Sequence, residues 1–255
     1  ARLYGEFVQR SGLVYPMWDP KKHICKSFRV PSEWRRIVSI DPSSTGVTAA
    51  LWGAVSPVGD VYFYREYYDR NKVISNHARD LLVMSGGEKI DIWLIDPFFG
   101  RQKNGETHRT NAQLYQMAGV PVRLANLGGD NTWCVNVTRE YLNATVTPNA
   151  PHPRVFVFPE LAYFQGEIIR YVWDTFMAGE QKGLSKEQPR KRNDHLMDAM
   201  KYLLAQRPKP GKGSGQPNLR SLADVAVNSY TGPTGHGGLW GEVDSSYERW
   251  DRMWS

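Results

Sequence analysis

Cysteine is scarce, with only Cys25 and Cys134 in 255 residues. Neither their number nor their spacing makes a zinc site or a disulfide framework, so both are read as buried thiols of a reducing compartment. Long apolar runs are missing too. No stretch approaches the roughly 18 to 20 residues that cross a bilayer, and the opening residues carry no charged-then-apolar leader. No membrane role is expected, and the expected address is cytosolic. Nor does any Gly-x-x-x-x-Gly-Lys-Ser/Thr occur, so a P-loop motor is not among this chain's expected activities.

What is present suits a folded protein: 41% hydrophobic residues, enough for a sizeable core, and 23% charged ones. The net charge is +6 and unevenly placed. From Pro208 onward five basic residues balance five acidic ones, so the whole surplus belongs to residues 1–207. A polyanion is the expected partner of that part.

Residues 1–34 carry Pro16, Pro20 and Pro31 without a useful period and read as an entry arm. Strand signals follow at Ile37–Asp41, Val47–Val55 and Val61–Tyr68, the last two joined by turn chemistry, Ser56-Pro57-Val58-Gly59-Asp60. These three are expected to be antiparallel. Apolar spacings of three and four then predict a helix stopped by Gly86-Gly87, and Ile90–Ile95 reads as a strand buried on both faces. Beyond it, helices are predicted at 110–118, 132–143, 160–178 and 193–205, with a strand at 120–125. The segment 207–255 is rich in glycine and proline and reads as an irregular tail, although Trp240, Trp250 and Trp254 argue against a purely solvated one.

Asp41 and Asp96 each end a hydrophobic strand, and strand ends at one edge of an α/β sheet are where such folds build sites. Two carboxylates brought together there repel unless a cation or proton intervenes, and hard oxygen ligands point to magnesium or manganese. Alternatively each caps its own turn, at Asp41-Pro42-Ser43-Ser44 and before Pro97. A third element lies on the last helix, where Asp194, His195 and Asp198 occupy neighbouring positions three and four residues apart. Asp194 also suits the positive end of that helix, and His195 on its own suits an ordinary surface or packing role.

The ordered segments Ser39-Ile40-Asp41-Pro42-Ser43, Trp93-Leu94-Ile95-Asp96-Pro97 and Asn193-Asp194-His195-Leu196-Met197-Asp198-Ala199 resemble the nuclease domain of the large terminase subunit of tailed bacteriophages, over about residues 35–206. The resemblance implies a ribonuclease H-like α/β fold, a mixed sheet with its first three strands antiparallel and helices on both faces. It implies a metal-dependent endonuclease that cuts concatemeric viral DNA during packaging in the host cytoplasm, using two Mg2+ or Mn2+ ions. Asp41, Asp96 and Asp198 would be the metal-binding acids, with Asp194 or His195 as an additional ligand. Asp41, on a central strand, would bridge the ions. Many relatives carry a second acid where His195 stands. The implied partners are double-stranded DNA, the portal protein, the small terminase subunit and an upstream ATPase domain, which makes this chain an isolated C-terminal domain.

Two basic runs flank these acids. Arg101, Lys103 and Arg109 lie in a polar loop after Asp96, and Arg190, Lys191 and Arg192 precede Asp194. Both are candidate DNA phosphate contacts, set against simple solvation. Two other readings compete: an actin-like or sugar-kinase-like nucleotide-binding domain, from the turn Asp41-Pro42-Ser43-Ser44-Thr45-Gly46, and a non-catalytic DNA-binding or docking module whose acids are structural.

Overall fold

Rich in β-branched and aromatic residues, the stretch 35–70 folds into three antiparallel strands, β1 (Arg35–Asp41), β2 (Val47–Val55) and β3 (Val61–Arg70). The computed structural model describes residues 12–43, 46–105, 107–143, 152–175 and 185–211. The β2–β3 turn closes by Ser56 N–H donating to Asp60 O at 2.8 Å, with Gly59 supplying the left-handed residue (φ 89°). On the other side of β1, β4 (Ile92–Ile95) and then β5 (Val122–Leu124) add in parallel, and β6 (Val155–Val157) adds parallel to β3. The sheet order is β5-β4-β1-β2-β3-β6, which puts β1 inside it.

Helices cover both faces. On one lie α2 (Ile74–Ser85) and α4 (Asn111–Met117), packed on Val38, Ile40, Trp52, Trp93 and Ile95. The first ends at Gly86 in the left-handed conformation, and the second opens with a reciprocal Thr110–Gln113 capping box. On the opposite face α5 (Asn131–Leu142), α6 (Ala162–Ile168) and α7 (His195–Ala205) pack over Ile37, Leu51 and Leu94. Of residues 1–34, read from the sequence as an arm, Val14, Tyr15 and Trp34 join that core, and Pro20–His23 form a four-residue helix, α1. Cys134 is buried and Cys25 only half-buried, both as free thiols. Among the described residues no helix is long and apolar enough to cross a membrane.

Two expectations need correction, and β6 adds a strand that the sequence pattern does not show. The helix anticipated over 160–178 stops at Ile168, and the chain returns as β7 (Trp173–Thr175), antiparallel to β8 (Ser185–Pro189). Tertiary pairing decides this: Tyr171 O accepts from Val14 N, and Val172 O accepts from Arg190 N. Local β-branched and aromatic content favours the same outcome. Strand β6 is three residues long, too short to leave a readable pattern. The polar loop after Asp96 begins with a short helix, α3 (Pro97–Arg101), with Pro97 in its first turn. The tail past Gly211, including its three tryptophans, lies outside the described residues.

α7 can lie close on the sheet because of one glycine. A Cβ at Gly53, on β2, would stand 2.8 Å from Leu203 Cδ1 of α7 and 3.3 Å from Phe63. The β2–β3 register also shifts between Trp52 and Gly53.

Candidate active site

Pairing of β1 with β4 sets the first two acids side by side. Ile40 registers with Ile95, and Asp96 N–H donates to Ile40 O at 3.1 Å, so Asp41 and Asp96 leave adjacent parallel strands at one sheet edge, on backbones about 4.8 Å apart. Alternation then fixes their face. Ile37 and Leu94 look toward α7, and Asp41 and Asp96 follow them by an even number of residues.

The helix α7 supplies the remaining groups. His195 Nδ1 and Asp41 Oδ2 share a hydrogen bond of 2.9 Å. Asp198 is buried between two ammonium groups: Lys191 Nζ at 2.6 Å from Oδ2 and Lys201 Nζ at 2.5 Å from Oδ1. Lys191 also lies 3.4 Å from Asp194 Oδ2. Asp194 is the N-cap residue of α7, yet its side chain makes no capping bond, while Asn193 before it takes a left-handed turn (φ 49°). Asp198 falls in the first turn of the helix, near its positive end. The turn-capping reading holds for Asp96, whose Oδ1 accepts from Phe98 N at 2.8 Å. Beside Asp41, the turn's Gly46 N–H bonds Ser43 Oγ instead.

The electrostatics tie these groups together. Burial raises the Asp41 carboxyl to about 7 against the pull of the His195 contact, and the charges of Asp198 and Asp96 add to the rise. Asp96 and Asp194 are also raised, chiefly by burial, with Asp198 contributing to each. Asp198 goes the other way: burial alone would raise it, but Lys201 and Lys191 together outweigh burial and hold it low. At His195 burial is again opposed, here by the Asp41 contact, and the ring's affinity for a proton rises.

A cleft of about 350 Å³ opens beside Asp198, walled by the start of α5, by Gln188 and Pro189 of β8, and by Lys191, Lys201 and Tyr202. Sequence reasoning missed three residues here. Lys201 is 1% exposed and also bonds Asn131 Oδ1 and Tyr171 Oη; its i+3 spacing from Asp198 was the available signal. Tyr202 is raised by burial and by the fields of all four acids, and it lines the cleft with Asp198. Glu167, on α6, accepts from Leu196 N (2.7 Å) and Met197 N (3.3 Å), capping α7 from another helix across 29 residues of sequence. Glu66 on β3 does the same for α6, accepting from Tyr163 N and Phe164 N. Two long-range caps thus run from sheet to α6 to α7.

A structure search returns solved structures of the same architecture. The large terminase of the thermophilic bacteriophage D6E matches 76% of this chain with 20% identity and a TM-score of 0.59. The P22 large terminase nuclease domain matches 78% of this chain and 94% of its own length with 18% identity and a TM-score of 0.58. This chain has the fold of the large terminase nuclease domain. The large terminase nuclease from the thermophilic phage G20c agrees, at 9% identity, a TM-score of 0.52, and coverage of 76% of this chain and 98% of that one. The chain spans 45% of the D6E large terminase, less than half. No family model and no curated protein matches it in sequence.

Within this terminase-type fold, the predicted phosphate-binding residues are all exposed. Arg101 turns back on its own helix, donating to Pro97 O, Lys103 bridges to Thr110, and Arg109 lies against Met117 Sδ. Arg190 and Arg192 flank Lys191 on the segment between β8 and α7. A divalent ion fits the donors in kind, since buried carboxylates raised by each other's charge are relieved by a hard cation. Their present packing does not gather them: among the described residues no group of three or more His, Cys, Asp or Glu is placed to hold a metal ion. Ammonium groups occupy Asp198 instead.

Proposed function

We propose that this chain is a metal-dependent DNA endonuclease, the nuclease part of a large terminase, which cuts concatemeric viral DNA during packaging. One observation carries the reading: Asp41 and Asp96 leave adjacent parallel strands on the face crossed by the helix that bears His195 and Asp198, and the first of these bonds Asp41. The nuclease domain is taken as residues 35–206. In this reading Asp41, Asp96 and Asp198 hold Mg2+ or Mn2+, which when bound supplies Lewis acidity to the attacking water and the scissile phosphate. His195 orients the Asp41 carboxylate and keeps a proton at Nδ1. Lys201 neutralises Asp198 from the buried side. Arg190 and Arg192 hold the DNA backbone, with Arg101, Lys103 and Arg109 as a second group of phosphate contacts. The setting is the host cytoplasm, with an upstream ATPase domain, the portal protein and the small terminase subunit as partners.

The test is plasmid nicking in Mg2+ or Mn2+ by the wild type and by Asp41→Asn, Asp96→Asn and Asp198→Asn, each checked for folding by circular dichroism. Loss of cleavage in all three supports the reading, and retained cleavage in two of them ends it. DNA bound tightly but uncut in either metal would favour the docking module. Saturable ATP binding would favour the nucleotide-binding alternative.

A further inference from the structure

Both oxygens of Asp198 are covered by ammonium groups, and the two ammoniums are unlike. Lys201 is a fixture: its side chain is 2% exposed and its Nζ is also bound by Asn131 and Tyr171. Withdrawing it would strand a buried carboxylate. The Lys191 side chain is 65% exposed, pairs with Asp198 and Asp194, and stands between the exposed Arg190 and Arg192. An exposed ammonium leaving a carboxylate is re-solvated at little cost. The left-handed turn at Asn193 brings this basic segment back over the start of α7.

We propose that Lys191 is an exchangeable latch: it occupies Asp198 in the absence of nucleic acid, competes there with the divalent cation, and is drawn away by a DNA phosphate, so that DNA and metal bind cooperatively. The proposal rests on the nuclease reading of Asp198. An ammonium 2.6 Å from Oδ2 and a cation ligated by that oxygen exclude each other by contact and by charge. A backbone phosphate held by Arg190 and Arg192 offers Lys191 an alternative anion on the same segment. Coupling of this kind is reciprocal and typically amounts to about 5- to 150-fold. Its consequence is a site that takes up metal more readily where DNA already lies.

The experiment measures Mn2+ affinity from the electron paramagnetic resonance signal of free Mn2+, with and without a short DNA duplex. It uses the full chain as wild type, Lys191→Ala, Lys191→Arg, Asp198→Asn and, as a surface control, Lys89→Ala. In the wild type the duplex should tighten Mn2+ binding by about tenfold, and Mn2+ should tighten duplex binding by the same factor. Lys191→Ala should bind Mn2+ about tenfold more tightly without DNA and gain little from the duplex, while Lys191→Arg and Lys89→Ala behave as wild type. If Lys191→Ala melts early, the wild-type linkage decides alone: a duplex that leaves Mn2+ affinity unchanged overturns the latch. Equal Mn2+ affinity in wild type and Lys191→Ala, abolished by Asp198→Asn, also overturns it while leaving the nuclease reading standing. Mn2+ binding indifferent to Asp198→Asn removes the metal-site reading and the latch with it.

Discussion

Glu167 helps to fix the position of α7, and hence of His195 and Asp198, from a neighbouring helix. Its Oε2 accepts from the N–H groups of Leu196 and Met197, which α7's own N-cap side chain leaves without a partner. Glu167→Ala strips that acceptor from two buried donors. At about 1–3 kcal/mol for each donor left unsatisfied, the loss is about 2–6 kcal/mol, and a lost cap alone sets a floor near 1 kcal/mol. Glu167→Gln keeps an acceptor oxygen in place and isolates the charge. Burial raises the Glu167 carboxyl from 4.5 to about 8, so across that interval the native state keeps a proton that the unfolded chain has released. Stability contributed by this group therefore falls as pH rises from about 4.5 to about 8. At 1.36 kcal/mol per pH unit the fall is bounded by about 5 kcal/mol. Urea unfolding at pH 5, 7 and 8.5 reads both effects. Glu167→Ala should lose at least about 1 kcal/mol at pH 7, and Glu167→Gln should gain on the wild type as pH rises. A loss below about 0.5 kcal/mol in the first variant, or a wild-type pH slope in the second, would refute the reasoning.

Replacing Lys201 with Met should destabilise the fold by about 3–5 kcal/mol in urea unfolding, because Asp198 keeps a buried charge with its anchored partner gone. A side chain at Gly53 meets Leu203 of α7, so Gly53→Val should cost about 1–3 kcal/mol and lower DNA cleavage together with stability, as read by thermal melting and nicking. Arg190→Ala combined with Arg192→Ala should weaken DNA binding uniformly across sequences and reduce the slope of log affinity against log salt by roughly 2, measured by fluorescence anisotropy.

Much of this protein is written locally. The three antiparallel strands, the stop of α2 at Gly86 and the cap of α4 at Thr110 follow from alternation, glycine and capping chemistry within a few residues of each other, and each was readable before the fold. So was the candidacy of Asp41, Asp96 and Asp198, because strand-end and helix-face acids announce themselves by their setting. Other features have no local signal. The break after Ile168 is made by pairing with Gly12, Val14 and Arg190, and β6 exists because β3 offers it an edge. Which cation meets Asp198, and which carboxylate caps α7, depend on groups brought from β3, α6 and the β8–α7 segment. Hydrophobic alternation and turn chemistry act between neighbours in sequence and so can be read along the chain. The charge balance of a buried carboxylate is set by whatever the folded chain places within a few ångströms of it, and only the tertiary structure decides that.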